Sequence, residues 1–184
     1  KFNQDLNLWD VSNVKDMKNM FFESSLFNGN ISNWNVSSVT HLDHMFYEAR
    51  SFACDISKWN VSNVTTMEGM FQGARSFNGD ISGWNVSKVT DMKSMFFRTP
   101  FNGDISRWDV SKVTNMSYMF GLTPFNGEIS RWNVSKVTTM KQMFFEARSF
   151  TCDISKWNVS NVKDKCDIFT NASAFDGDLS PWNR

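Results

Sequence analysis

The chain has 184 residues, with 19 basic and 19 acidic side chains and a formal net charge of zero. That balance excludes broad, sequence-independent nucleic-acid binding, which needs a cationic surface. No apolar run approaches the roughly 18 residues of a membrane span. Three cysteines form no disulfide framework; Cys54 and Cys152 share a repeat position four rungs apart, about 19 Å at strand spacing and beyond disulfide reach.

Tryptophan recurs at Trp9, Trp34, Trp59, Trp84, Trp108, Trp132, Trp157 and Trp182, with gaps of 25, 25, 25, 24, 24, 25 and 25 residues. A period of this length across a whole chain denotes one supersecondary unit stacked on itself. Residues 1–184 are therefore expected to form a single solenoid segment of about seven 24–25-residue repeats. The chain opens at Lys1-Phe2-Asn3 and stops at Trp182-Asn183-Arg184, both in mid-repeat. Because solenoids need atypical capping repeats, the expectation is a fragment of a longer protein without its caps.

Within each rung the order is strand, helical arc, turn. Ile81-Ser82-Gly83-Trp84-Asn85-Val86 reads I-x-x-W-x-V. Trp and Val two apart share one face of a short strand, with Asn85 on the other. Next, Val89, Met92, Met95 and Phe96 recur every three or four residues, the spacing of a helical turn. Asn78-Gly79 supplies turn chemistry. Two rungs are one residue shorter because Arg75-Ser76 is matched by a single Pro100 or Pro124, and proline there stops the helix. All 11 Met and all 8 Trp lie in fixed columns, so they are read as core. One rung cannot fold alone: its roughly eight large apolar side chains supply about 12–24 kcal/mol, less than the ordering cost of 25 residues at ~1–2 kcal/mol each. Lys165 stands in a Met column and is expected to distort the last rung.

The I-x-x-W-x-V segment has the form of the L-x-x-L-x-L strand signature. Met45-Phe46-x-x-Ala49-x-x-Phe52 is similar to the A-F-x-x-C-x-x-L stretch of BspA-type leucine-rich repeats. The whole template resembles the repeats of mycoplasma surface lipoproteins grouped with that type. The resemblance implies a leucine-rich-repeat-like solenoid, with short parallel strands on the concave side and helical or 3-10 turns on the convex side. It further implies a cell-surface or secreted location, adhesion or partner recognition, and no catalytic residues. A rival register, from the likeness of Phe77-Asn78-Gly79-Asp80-Ile81-Ser82 to plant-type repeats, puts the strand near Met70-Phe71-Gln72. The first register is preferred because the position after Phe71 varies among Phe, Tyr, Gln and Gly.

Several columns carry candidate chemistry. An acidic file (Asp5, Asp55, Asp80, Asp104, Glu128, Asp153, Asp178) precedes the Ile column. Its mutual repulsion is expected to be offset by backbone N–H groups of the Asn-Gly turn and by the Ser one or two residues on, rather than by calcium, which wants six or more oxygens in a cage. The Asn file (Asn35, Asn60, Asn85, Asn133, Asn158) heads N-V-S sequons and is read as an inter-rung hydrogen-bonding ladder. Beside it runs a basic stripe: Lys58, Arg107, Arg131 and Lys156 before the Trp, and Lys88, Lys112 and Lys136 four residues after it. With Asn85, these are the candidate partner-binding residues. They vary between rungs whereas the core columns do not. Phe22, Tyr47, Phe97 and Phe145 are candidate docking aromatics on the convex side. His41 and His44 form an H-x-x-H too loose to be a metal signature. A Thr file (Thr40, Thr65, Thr90, Thr114, Thr138) is a weak candidate for an ice-binding face.

The expected function is a non-enzymatic binding module working through its concave polar-basic face on a protein or glycan partner, with no cofactor or metal. The alternative is a scaffold segment docked in a larger assembly through its aromatic convex face.

Overall fold

A computed structural model describes residues 2–183. Successive rungs coil along one continuous apolar core that runs from Leu6 to Trp182. Adjacent rungs are joined by parallel bridges at one residue each: Asp16 to His41, then Thr66, Asp91, Asn115, Thr139 and Asp164. Each lies seven residues after a Trp, in the V-T-x-M stretch. The repeat architecture is thus as expected, but its local structure is not.

The strand expected at I-x-x-W-x-V does not form. The Trp84 N–H returns to the Ile81 carbonyl at 3.1 Å, and the Val89 N–H to the Val86 carbonyl at 2.9 Å. Side chains impose these turns. Asp80 Oδ1 accepts the Ser82 N–H at 3.0 Å, and Asn85 Oδ1 accepts the Ser87 N–H at 3.1 Å. Such Asx turns give the backbone an alternative to a strand ladder.

The helical or 3-10 turn expected after Val89 is also replaced. Among the described residues the one helix is a 3-10 turn at Ser180–Asn183. The arc is instead a chain of overlapping turns whose N–H groups point alternately backward and sideways. In the third rung, Met70, Gln72 and Ala74 donate to Met67, Gly69 and Phe71 three residues earlier. Between them, Met67, Gly69, Phe71 and Gly73 donate to Asp91, Lys93, Met95 and Phe97 of the next rung at 2.7–3.0 Å. This path needs a left-handed residue every fourth position: Gly69 has φ 56° and Gly73 φ 72°. In other rungs non-glycine residues occupy the same two positions, including Asn19, His44, Tyr118 and Glu146. Each pays roughly 1–2 kcal/mol for the conformation, offset in large part by about 0.5–1.5 kcal/mol from the inter-rung bond its own N–H makes. The inter-rung ladder therefore spans Thr65 to Gly73, close to the rival register.

Threonine completes the ladder. Thr65 gives both its N–H (2.8 Å) and its Oγ1 (3.1 Å) to the Thr40 carbonyl, and Thr90, Thr114 and Thr138 repeat the contact. Their hydroxyls are engaged by the fold rather than offered as an ice-binding file.

Three aromatic files fill the interior. Within a rung, Phe71 and Phe77 stack at 3.7 Å between centroids. Along the axis, Phe46, Phe71 and Phe96 stack at 5.7 and 6.0 Å. The Trp file is buried from Trp34 to Trp157, with Trp34 on Trp59 at 6.3 Å and Trp132 on Trp157 at 6.5 Å, nearly parallel. Each of these indoles also donates across the rungs, as from Trp59 Nε1 to the Ile31 carbonyl at 3.1 Å. Trp9, with no rung before it among the described residues, is 56% exposed.

Lys165 distorts the last rung less than expected. The rung keeps its bridge to Thr139, and Phe169 still stacks on Phe144 at 5.5 Å. The lysine ammonium turns to donate to the Trp182 carbonyl, at a position where most other rungs bury a methionine.

Candidate binding faces

The structure leaves all of the expected partner-binding residues in contact with solvent. Lys58, Asn85, Lys88, Arg107, Lys112, Arg131, Lys136 and Lys156 are all exposed. Their columns flank the buried Trp and Val columns, so the turns that replace the strand hold them in register. Lys88 Nζ bonds Asn63 Oδ1 of the preceding rung at 2.6 Å. In the preceding rung the same position stitches to the backbone, where Asn63 Nδ2 donates to the Ser37 carbonyl at 2.8 Å, as Asn161 Nδ2 does to the Ser135 carbonyl at 2.6 Å in the seventh.

The Asn file is not the inter-rung ladder expected of it. Asn35, Asn60, Asn85, Asn133 and Asn158 each cap the N–H of the Ser two residues on. Geometry decides this: the side chain reaches its own turn before it reaches the next rung. An Asn ladder does exist one turn earlier, in the column after Phe. There Asn102 N–H donates to Asn78 Oδ1 at 2.9 Å, and Asn126 N–H to Asn102 Oδ1 at 2.8 Å.

The Ser half of the expectation for the acidic file holds, with the Ser two residues on as donor. Among the described residues the donors are these Ser groups and, at Asp5, the Asn7 N–H, not N–H groups of the Asn-Gly turn, which precedes the acid. The Ser82 hydroxyl lowers the Asp80 carboxyl below its usual range, and the Ser130 hydroxyl does the same for Glu128. For Asp55, Asp104 and Asp153 the backbone N–H of Ser57, Ser106 and Ser155 is the larger influence. Lys58, Arg107, Arg131 and Lys156, three residues on, add a smaller attraction. The stripe read as basic is thus interleaved with carboxylates, and the face is mixed in charge.

The aromatic file is mostly folded back. Phe22 is 42% exposed and stacks on Tyr47 at 4.6 Å. Tyr47, Phe97 and Phe145 are half-buried, and Phe97 lies where a Cβ on Gly121 would be, 2.8 Å away. His41 Nδ1 is engaged by Thr40 Oγ1 at 2.8 Å. The His44 ring meets Tyr47 edge-on at 5.8 Å and overhangs Gly69. The two histidines therefore serve different neighbours and do not converge.

Two depressions on the arc escaped sequence reasoning. One, of about 280 Å³, is lined by His44, Glu68, Lys93, Phe97 and Tyr118 among others. In it Lys93 bonds Glu68 at 2.9 Å; that bond raises the lysine, while burial raises the neighbouring Asp91. The other, of about 400 Å³, is lined by Arg75, Arg98, Thr99, Pro100 and Leu122. Its signal was in the sequence, as a change from Glu-Ala-Arg to Gly-Ala-Arg to Arg-Thr-Pro at matched positions (48–50, 73–75, 98–100).

Among the described residues no helix is long and apolar enough to cross a membrane, and no three His, Cys, Asp or Glu side chains gather as a metal site would require. Fold and faces together define a parallel-stacked repeat protein with a nearly constant core and variable exposed columns. The chain belongs to the family described as Mycoplasma protein of unknown function, DUF285, which matches residues 1–102 and 97–184. Among solved structures it is similar to a leucine-rich repeat protein from Bacteroides ovatus, at 9% identity and a TM-score of 0.27, over 88% of this chain and 69% of that one. No curated protein matches it.

Proposed function

We propose that the chain is a non-enzymatic binding module that recognises a protein or glycan partner through the face carrying Lys58, Asn85, Lys88, Arg107, Lys112, Arg131, Lys136 and Lys156. The observation that carries this reading is the contrast between columns. Trp84, Val86 and their equivalents are buried in rung after rung, while the exposed positions beside them change identity. Asx turns hold those positions rigidly, which lowers the ordering cost of binding. The mixed charge of the face suits a partner with both signs, or a polar glycan.

Placement at the cell surface or in secretion, and kinship with BspA-type repeats, rest on the resemblance of the template. The test is to probe protein and glycan arrays with the labelled chain. Replacing Arg107, Lys112, Arg131 and Lys136 with Ser should abolish the binding found and leave the thermal melt unchanged. Retained binding would overturn the reading. A second reading, docking in an assembly through the aromatic side, is favoured by the exposed Phe22 on Tyr47 beside exposed Met20 and Leu26. It requires the chain to self-associate alone, and Phe22→Ser to relieve that association.

A further inference from the structure

A break in the repeat produces a second candidate site, separate from the Trp-flanking face. In the second and sixth rungs the end of the arc reads Glu-Ala-Arg, and the two charges pair. Arg50 Nε meets Glu48 Oε2 at 2.9 Å, and Arg148 Nη2 meets Glu146 Oε2 at 3.1 Å. The third rung keeps the arginine, Arg75, but has Gly73 where the glutamate stood. The fourth reverses the sign at that position with Arg98, and the fifth makes it apolar with Leu122.

The fourth and fifth rungs also lack one residue after this point. Thr99 closes the shortened turn by donating its hydroxyl to the Phe96 carbonyl at 2.7 Å, and Pro100 follows. The shortening leaves the notch of about 400 Å³ lined by Arg75, Arg98, Thr99, Pro100 and Leu122. Neither arginine makes an ion pair among the described residues. Glu48 leans over Gly73, but it is engaged by Arg50. Leu122 is 37% exposed, and the other exposed large apolar side chains all fall within residues 2–26.

Two exposed guanidiniums without an ion-pair partner and an exposed leucine thus line one depression, where a bound carboxylate would meet cationic charge and an apolar neighbour together. We infer that this notch binds an acidic peptide segment of a partner protein, with a carboxylate bridging Arg75 and Arg98 and an adjacent apolar side chain on Leu122 and Pro100. Carboxylate is the ligand because the second and sixth rungs show what the column of Arg75 takes: the Glu that Gly73 replaces is supplied from outside, and Arg98 at the glutamate position of the next rung adds a second cation. Guanidinium groups receive carboxylates with paired, directional bonds, and the leucine adds a requirement for an apolar neighbour.

Fluorescence anisotropy with a labelled Leu-Glu-Leu-Glu peptide tests this, with Leu-Gln-Leu-Gln and Leu-phosphoserine-Leu-phosphoserine peptides beside it. The Glu peptide should bind the chain, and the Gln peptide should not. Arg75→Ser with Arg98→Ser should weaken binding on the order of tenfold or more, and Leu122→Ser should weaken it alone. Arg50→Ser and Arg148→Ser, with melts recorded for every variant, should leave it unchanged. No binding of the Glu peptide, equal binding of the Gln peptide, tighter binding of the phosphopeptide, or full affinity in the Arg75/Arg98 variant would each overturn the assignment. Loss on Arg107→Ser with Arg131→Ser instead would move the peptide to the Trp-flanking face, sinking the notch and sparing that face.

Discussion

The indole N–H of Trp84 donates to the carbonyl of Ile56, 28 residues earlier, at 3.2 Å. The same bond recurs from Trp34 to Leu6, Trp108 to Ile81, Trp132 to Ile105 and Trp157 to Ile129. The tryptophan is thus both a stacking element and a second donor to a carbonyl that already accepts a main-chain N–H within its own turn, as Ile56 does from Trp59 at 3.1 Å. Trp84→Phe retains most of the buried ring and removes the donor. It should cost about 0.5–1.5 kcal/mol, the net worth of one hydrogen bond, because the Ile56 carbonyl keeps the Trp59 N–H, while Trp84→Ala should cost about 3–5 kcal/mol. Urea denaturation of the two variants checks the order; equal losses would mean that packing alone matters.

Acid should destabilise the chain. Asp10, Asp55, Asp80, Asp104, Asp109, Glu128 and Asp153 are all held below their usual range by the Ser two residues on. The unfolded chain therefore takes up protons first. Their contribution is complete above the unfolded values of about 4 and is lost as pH falls through the lower folded values. Asp91, raised by burial, works in the opposite direction but is a single group. The melting temperature should decline below about pH 4. Asp80→Asn, which keeps an acceptor as Asn30 does for Ser32 at 3.1 Å, should reduce that decline slightly. A melt that is flat or rises on acidification contradicts this account.

Two glycines should respond in opposite ways to alanine. A Cβ on Gly29 would lie 1.9 Å from the backbone oxygen of Gln4 in the preceding rung, whereas one on Gly83 meets nothing within 4 Å. Gly29→Ala should destabilise by about 1–3 kcal/mol or more, because backbone must move. Gly83→Ala should be neutral or stabilising by about 0.4–1 kcal/mol through the unfolded chain. Paired denaturation curves measure both.

Thiol labelling should follow burial. Cys166 is exposed, Cys54 half-buried and Cys152 buried. Burial raises both Cys54 and Cys152, whose sulfurs accept the Ile31 and Ile129 N–H groups at 3.5 and 3.4 Å. Mass spectrometry after brief iodoacetamide treatment of the native chain should find Cys166 modified first and Cys152 last. Early modification of Cys152 would mean that the rung around it opens.

The core was legible because a fixed period leaves burial few options: Trp84, Met92, Met95 and Phe96 lie inside as their columns imply. Secondary structure was not, because overlapping turns place apolar residues at three- and four-residue intervals as a helix does. Gly69 and Gly73, four apart and both left-handed, carried the distinguishing signal, but His44, Glu48, Tyr118 and Leu122 stand at equivalent positions in other rungs and obscured it. Likewise the alternation of Ile81, Trp84 and Val86 suggested a strand, while the Asp80 and Asn85 side chains were turning the backbone. The basic face was legible as exposed columns; its interleaved carboxylates were visible only as a separate file. The Arg75–Arg98 notch was missed because a missing glutamate matters only once its neighbours are seen to be paired.

Hydrogen exchange of the indole Nε1 protons, resolved by NMR, tests the stacked-rung account most directly. Trp34, Trp59, Trp84, Trp108, Trp132 and Trp157, buried and bonded across the rungs, should exchange slowly. Trp9 should exchange fast, and Trp182, buried without a partner for its N–H, should fall between. Uniformly rapid exchange across all eight, or protection of Trp9 equal to that of Trp84, would contradict it.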